Sequence, residues 1–325
     1  MKRISTATKV VDKFGAGKPG FTNGNAVAGV AATDLESDWF DSVQEELANL
    51  VEAGGGVVDG SSNTQVLAAL QALFVGAQQC RLGGTTATLT LSRVGRGVIN
   101  IPSSGLAVVP AGGVALNAAG LTASTLYYIY AYMNGGNLAL EASTTVRATD
   151  AATGLQIKTG DRSRLFVGIE WATGATAWGG LVRSWFNDPG FVATTLLPST
   201  SSTASTTPIP INSAGNRAFL AFAGESAILN LSGAGSNTAA NYSLYTWIGI
   251  DSTSAHASSS GAHSQNSYSG QSMSFSAVAG IAGLSEGYHF GCIIGAADGG
   301  GTGNWYGSAN NGRTALRVAI PGGVR

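Results

Sequence analysis

The sequence predicts a mainly β chain: short N-terminal α-helices followed by two β-sandwich-like domains. Three observations carry this. Helical periodicity of apolar residues is confined to about residues 33–75. From about residue 80 onward the apolar residues instead recur in short alternating or β-branched runs. Those runs are bounded by Gly, Asn, Asp or Pro, the residues that tight turns require.

The first 32 residues contain "KFGAGKPGFTNGNAVAGVAA", punctuated by Gly, Pro and Asn, and read as an extended arm rather than a domain. The segment 33–80 is the helical part. "TDLESDWFDSVQEELANLVEAG" begins with Thr33-x-x-Glu36, the spacing of a capping box. Asp34, Glu36 and Asp38 place negative charge at the positive end of the helix dipole. Trp39, Val43, Leu47, Leu50 and Val51 then follow at helical spacing, and Gly54 suits the C-terminal cap. Ser62-x-x-Gln65 is expected to open a second, shorter helix carrying Val66, Leu70, Leu73 and Phe74. Neither helix is long enough to be stable alone, so each apolar stripe needs a partner.

Residues 81–190 read as a β-rich middle domain, with Asn134-Gly135 marking a hairpin between "YIYAYM" and "LALEAS". The uncharged Ser/Thr/Pro stretch at 191–210 is expected to be a linker, or a strand entering the next domain. Residues 211–325 form a second all-β domain with a sandwich-like pattern. No repeat at a fixed period occurs, which argues against a propeller or β-helix.

Charged residues make up 11% of the 325 residues, against a typical ~25%. With a formal net charge of −1, the chain presents no basic surface for nucleic acid and no polybasic membrane patch. Hydrophobic residues at 44% exclude a disordered composition. Cys80 and Cys292 lie far apart, each without a neighbouring cysteine, and are expected to be reduced, partly buried thiols. The first residues lack an apolar signal-peptide core, and no apolar run is long enough for a membrane helix. Synthesis in a cytoplasm is expected.

The segments "FGAGKPGFTNGNAVAGVAATDLESDWFDSVQEELANLVEAGGG" and "NTQVLAALQALF" resemble the N-terminal region of tail fibre proteins of tailed bacteriophages. The matching positions are Gly20–Asn25, Thr33, Leu35, Trp39, Phe40, Asp41, Val43–Leu47 and Asn63–Leu70, roughly a fifth of the chain. "LYYIYAYMNGGNLALEAS", "GDRSRLFVG" and "LVRSWFND" look like a domain recurring in phage tail proteins, and the segment from "GLSEGYHFGC" to "TALRVAIPG" is similar, more loosely, to their sandwich ends. The usual Thr after the His of that ending is Phe290 here. The resemblance implies an intertwined homotrimer in a virion tail, anchored at one end to tail-tip or baseplate proteins. The other end would touch a bacterial surface receptor: a glycan, lipopolysaccharide, or a pilus or outer-membrane protein. On that reading Trp39, Phe40, Val43, Leu47 and Leu50 serve virion attachment or trimerisation. The other readings are a purely structural tail or baseplate component and, less favoured, a glycan-degrading enzyme.

Catalysis is not expected. The three histidines, His256, His263 and His289, have few acids near them in sequence, and no GxSxG or phosphate-binding loop occurs. Paired carboxylates of the glycosidase kind are too sparse after residue 190. His256-x6-His263 is not a zinc spacing, so neither metal nor cofactor is expected. Binding fits better. The stretch 251–271, rich in Ser, His, Asn, Gln and Tyr, is expected to be a surface loop that offers His256, His263, Gln265, Asn266 and Tyr268 to a receptor. The Gly/Asn-rich stretch 295–313 offers Asn304, Trp305 and Tyr306 as a second contact, with Trp305 as a core residue the competing expectation.

Overall fold

A computed structural model describes residues 2–54, 56–73, 78–254, 260–310 and 314–323, the side chains of 71–73 and 310 aside. The chain divides into two units, Met1–Ala77 and Gln78–Arg325.

In the first unit the arm folds back on itself through the bridges Val10↔Gly20 and Asn25↔Val30. Helix α1 spans Ser37–Ala53 and α2 spans Gln65–Leu73. The predicted capping boxes do not form. α1 starts at Ser37 with Glu36 in the N-cap position, and no side chain caps it. Thr33 Oγ1 instead accepts from the Thr22 amide and donates to the Thr8 carbonyl. The Glu36 carboxylate accepts from the Ser5 amide at 2.8 Å, a bond that holds its carboxyl below the usual range. These residues tether the arm rather than cap the helix. Likewise Gln65 does not reach back to cap α2 but brackets the preceding turn, its Oε1 accepting from the Asp59 amide and its Nε2 donating to the Ser62 carbonyl. Gly54 ends α1, and here space decides: a Cβ on it would stand 2.6 Å from Ala69 Cα of α2.

The second unit is antiparallel throughout its named pairings. Its middle part holds β1 (Cys80–Gly84), β2 (Thr88–Arg93), β3 (Val98–Ile101), β4 (Gly105–Val108), β5 (Val114–Asn117), β6 (Thr125–Asn134), β7 (Asn137–Ser143), β8 (Arg147–Thr149), β9 (Gln156–Lys158), β10 (Asp161–Gly174), β11 (Ala177–Trp178) and β12 (Arg183–Ser184). They form a three-stranded sheet in the order β1-β2-β5, the hairpin β3-β4, and a larger sheet in the order β7-β6-β10-β9-β8, with β11 and β12 also on β10. The predicted hairpin is present. Asn134 faces Asn137 across a two-residue loop, and Gly135 and Gly136 have φ of 55° and 85°, the positive pair that a type I′ turn needs.

The rest comprises β13 (Phe191–Leu196), β14 (Ser201–Thr203), β15 (Ile209–Pro210), β16 (Arg217–Ala221), β17 (Ala227–Asn237), β18 (Ser243–Ile250), β19 (Gly261–Gln265), β20 (Met273–Ile281), β21 (Gly287–Ala297), β22 (Gly303–Trp305) and β23 (Ala315–Ile320). One sheet runs β13-β23-β17-β22-β14 with β20 also on β17; the other runs β15-β21-β18-β19 with β16 on β21. Phe219, Leu229, Leu244, Ile248, Phe275 and Leu316 fill the space between them. The fold is thus mainly β and sandwich-like at its C-terminal end, as the alternating pattern predicts.

The stretch 191–210 is not a free linker. Residues 191–196 pair along all of β23, and residues 201–203 pair with β22. The other expectation, a strand entering the next domain, is what forms: Val192, Thr194 and Leu196 face outward on β13 and Ser202 on β14.

The middle part and the sandwich share a third apolar cluster: Tyr128, Tyr130, Phe166 and Ile169 from one, Leu220 and Phe222 from the other. Arg183, fully buried, lies inside that junction. Its guanidinium donates to Asp188 at 2.6 Å, to Glu225 at 2.9 Å and to the Leu220 carbonyl at 2.9 Å. Arg147 pairs with Glu286 at 2.6 Å and lies 4.3 Å from the Trp185 ring centre.

Candidate functional site

The predicted receptor-contact residues are spread over the sandwich: His263 and Gln265 lie on β19, Asn266 and Tyr268 in the loop that follows it, and Asn304 and Trp305 on β22 of the other sheet. The loops 238–242, 266–272 and 298–302 meet at one end of it. The Thr238 amide donates to the Thr302 carbonyl, the Gly270 amide to the Asn237 carbonyl, and the Asn266 amide to the Tyr242 carbonyl.

The expected long surface loop at 251–271 is interrupted by β19. His256 lies outside the described residues. His263 sits on β19, exposed, with Nε2 2.8 Å from Ser243 Oγ. Gln265, also exposed, donates to the Asn241 carbonyl. Asn266 departs from expectation. It is buried, its Nδ2 lies within 3.0 Å of the carbonyls of Asn237, Ala239 and Tyr268, and its Oδ1 accepts from the Tyr242 amide. A side chain so engaged holds the loops together and is closed to a ligand. Tyr268, held out by that clamp, is 63% exposed.

The second predicted contact is corrected more strongly. Trp305 is a core residue, 0% exposed, with its indole Nε1 donating to Thr246 Oγ1 at 2.8 Å. Gly295 and Gly303 face its ring, and a Cβ on Gly295 would stand 2.3 Å from Cζ2. A Gly-rich sequence suggests a mobile tip, but here the glycines are the floor of an indole pocket. Asn304 is half-buried and accepts from Ser202 Oγ at 2.6 Å; Tyr306 is half-buried.

Sequence reasoning passed over the aromatic residues of β18. Leu244, Thr246 and Ile248 face the core, so Tyr245 and Trp247 face outward. Tyr245 stands across from His263 and Trp247 across from Gly261. The Tyr245 and His263 ring centres are 4.9 Å apart with planes at 28°; those of Tyr245 and Trp247 are 5.8 Å apart at 10°. Gly261 makes the patch possible, because a Cβ there would stand 2.4 Å from Trp247 Nε1. The signal available in the sequence is the Tyr-x-Trp spacing, which puts two aromatics on one strand face.

The predicted attachment residues lie in the N-terminal unit. Trp39 is half-buried, its ring edge-on to Phe21 and Phe40 at 5.0 and 5.1 Å. Phe40 and Leu47 are each 47% exposed, while Val43 and Leu50 are half-buried. A groove of about 250 Å3 runs between α1 and α2, lined by Leu47, Ala48, Val51, Val58 and Val66 among others. Among the described residues of this unit, the buried apolar side chains are Ile4, Val51 and Ala69.

No protein-family model matches the chain. It is 52% identical over 75 residues to the Escherichia coli (strain K12) protein named Uncharacterized protein StfP. That match covers 23% of this chain and 36% of StfP, so the chain spans little more than a third of that relative. Among solved structures, an infectious bursal disease virus structure (Gx strain) aligns over 77% of this chain and 74% of its own at 13% identity, with a TM-score of 0.31. Eiger TNF from S. frugiperda covers 41% of this chain and 92% of its own at 9% identity and a TM-score of 0.29. The globular domain of zebrafish complement 1qA covers 41% and 98% at 15% identity and a TM-score of 0.27. These scores carry neither assembly nor activity across.

Proposed function

We propose that the chain is a bacteriophage tail fibre that attaches the virion to its bacterial host. The N-terminal unit joins the fibre to the tail and to its own copies, and the sandwich meets the host surface. The observation that carries this reading is the apolar surface of the N-terminal unit. Phe14, Val27, Leu35, Phe40, Leu47 and Leu67 are all exposed in a unit with few buried apolar side chains. Side chains of this kind are stabilised by removal from water at ~25 cal/mol per Å2, and exposed clusters of them mark interaction surfaces. The resemblance of residues 20–70 to tail-fibre N-termini points the same way. The match to StfP over 75 residues is consistent with a module shared between the two chains.

In this function each receptor contact is weak, and linked copies raise the effective concentration. The test is incorporation into particles. Trp39→Ala and Leu47→Glu chains should be absent from purified virions while the second unit keeps its circular-dichroism spectrum. Normal incorporation of both variants overturns the attachment role.

A further inference from the structure

We propose that the groove between α1 and α2 receives the arm hairpin of a second copy of the chain. Phe14 of the hairpin enters the groove, and Lys13 and Lys18 meet the acids along its rim. This names the two surfaces that join copies in the attachment reading, and it rests on that reading. Charge is sorted along the first unit. Residues 2–32 hold five bases and one acid, Asp12, whereas residues 33–59 hold eight acids and no base. Part of this difference is matched within the unit, where Lys2 pairs with Asp38 at 2.9 Å and with Glu36 at 3.6 Å. The rest is not. Asp41, Glu45 and Glu52 are exposed, and none of them pairs with a cation among the described residues. At about 100° per residue, the three lie within roughly 40° of one another around α1. Ala48 lies on the same arc and lines the groove, so the three carboxylates form one bank of it. Leu47 and Val51 line it on the apolar side.

The arm supplies the matching surface. Val10 and Gly20 are bridged, the Phe14 amide donates to the Lys18 carbonyl at 3.1 Å, and the Lys18 amide donates to the Gly15 carbonyl at 2.9 Å. Asp12 is held inside this hairpin, its Oδ1 accepting from the Gly17 amide at 2.6 Å. Phe14 is 69% exposed at the tip, and Lys13 and Lys18 are exposed beside it. Lys13 donates to the Phe21 carbonyl, a neutral partner. Neither lysine has an acid partner among the described residues. An exposed ring between two ammonium groups complements an apolar groove beside three carboxylates. The hairpin does not fill the groove of its own chain. The groove's lining comes from residues 44–66, and Phe14 lies against Gly20, where a Cβ would stand 2.8 Å from Cε2. Two copies related by a twofold axis would set groove on groove and acid against acid. Hairpin into groove is instead a head-to-tail contact, the kind that closes into a ring.

The test is light scattering on the full chain over a concentration series. It is run at ~0.1 M salt, where charges act over about 10 Å, and at ~1 M, where they act over about 3 Å. Wild-type chains should associate, and less tightly at the higher salt. Glu45→Lys with Glu52→Lys, and separately Lys13→Glu with Lys18→Glu, should each weaken association about tenfold or more at low salt, because like charges then face each other. The chain carrying all four reversals should associate nearly as wild type does, which also shows that the reversals leave the unit folded. Three results overturn the proposal: wild-type chains of 32.7 kDa at every concentration, reversed pairs that associate as wild type does, or a chain with all four reversals no tighter than either pair. Incorporation into virions separates this contact from the attachment reading. If wild-type chains stay at 32.7 kDa yet enter virions, attachment stands and the groove serves a segment of another tail protein. If the reversals behave as expected but wild-type chains are absent from virions, the hairpin contact stands and the attachment reading falls.

Discussion

At the scale of single residues, burial decides more than sequence context. Trp305 sits among Gly and Asn in sequence and in the core in space, because Gly295 and Gly303 leave it room. Trp305→Ala is therefore expected to cost ~3–5 kcal/mol and to lower the melting temperature by roughly 10 °C, which thermal unfolding will measure. Any loss of receptor binding in that variant follows from loss of fold. Glu170 makes a second residue-scale prediction. It is 0% exposed on β10 and accepts from the amides of Trp171 and Leu181 through one oxygen, while the other has no hydrogen-bond partner. Burial pushes its pKa up to about 7. The folded state then holds a proton that the unfolded chain releases near its ordinary range. The resulting stabilisation is complete below about pH 4.5 and is lost as pH rises toward 7, on the order of 3 kcal/mol in all. Glu170→Gln should remove this component. The stability difference between variant and wild type, measured by urea unfolding, should shift in the variant's favour between pH 4 and pH 8; a difference independent of pH would contradict it.

At the scale of elements, the sequence was legible where periodicity is unmixed. The two helices, the hairpin around Gly135 and the alternating sandwich strands all follow from spacing. The boundaries were harder, because Thr33 and Glu36 have the right identities for a cap yet bind the arm, a long-range contact that local pattern cannot encode. The stretch 191–210 could be read either as linker or as entering strand, because its Ser, Thr and Pro content masks the strand spacing of 191–196 and 201–203. The candidate site was legible in part. Tyr268, His263 and Gln265 are exposed as expected, but Asn266 is a clamp and Tyr245 and Trp247 were hidden inside a strand. The junction between the middle part and the sandwich could not be read at all, since Arg183 meets Glu225 only through folding. Arg183→Met should cost ~3–5 kcal/mol, because Asp188 and Glu225 stay buried without their cation. Adding Asp188→Asn and Glu225→Gln should recover much of that loss. Thermal unfolding of the single and triple variants checks both, and equal stability of single variant and wild type would contradict the coupling.

At the scale of the whole molecule, the proposed function predicts a discrete mass. One chain weighs 32.7 kDa, so a threefold-symmetric assembly weighs about 98 kDa. Light scattering on the purified chain should give that value, and Leu47→Glu with Leu67→Glu should lower it; a single species at 32.7 kDa in the wild type would remove the trimer from the proposal. The path of the chain through the sandwich has a further consequence. Phe191 at the start of β13 faces Ile320 at the end of β23, so the chain enters and leaves the sandwich side by side. On β17, Ile228 lies opposite Ala319 near that doorway, while Asn237 lies opposite Gly303 at the far end, beside the joined loops. The doorway and the loop end can therefore change independently. On the proposed function, a lineage shifting to a new host can lengthen or replace residues 238–242, 266–272 and 298–302 while the strands that carry the chain in and out stay paired as they are.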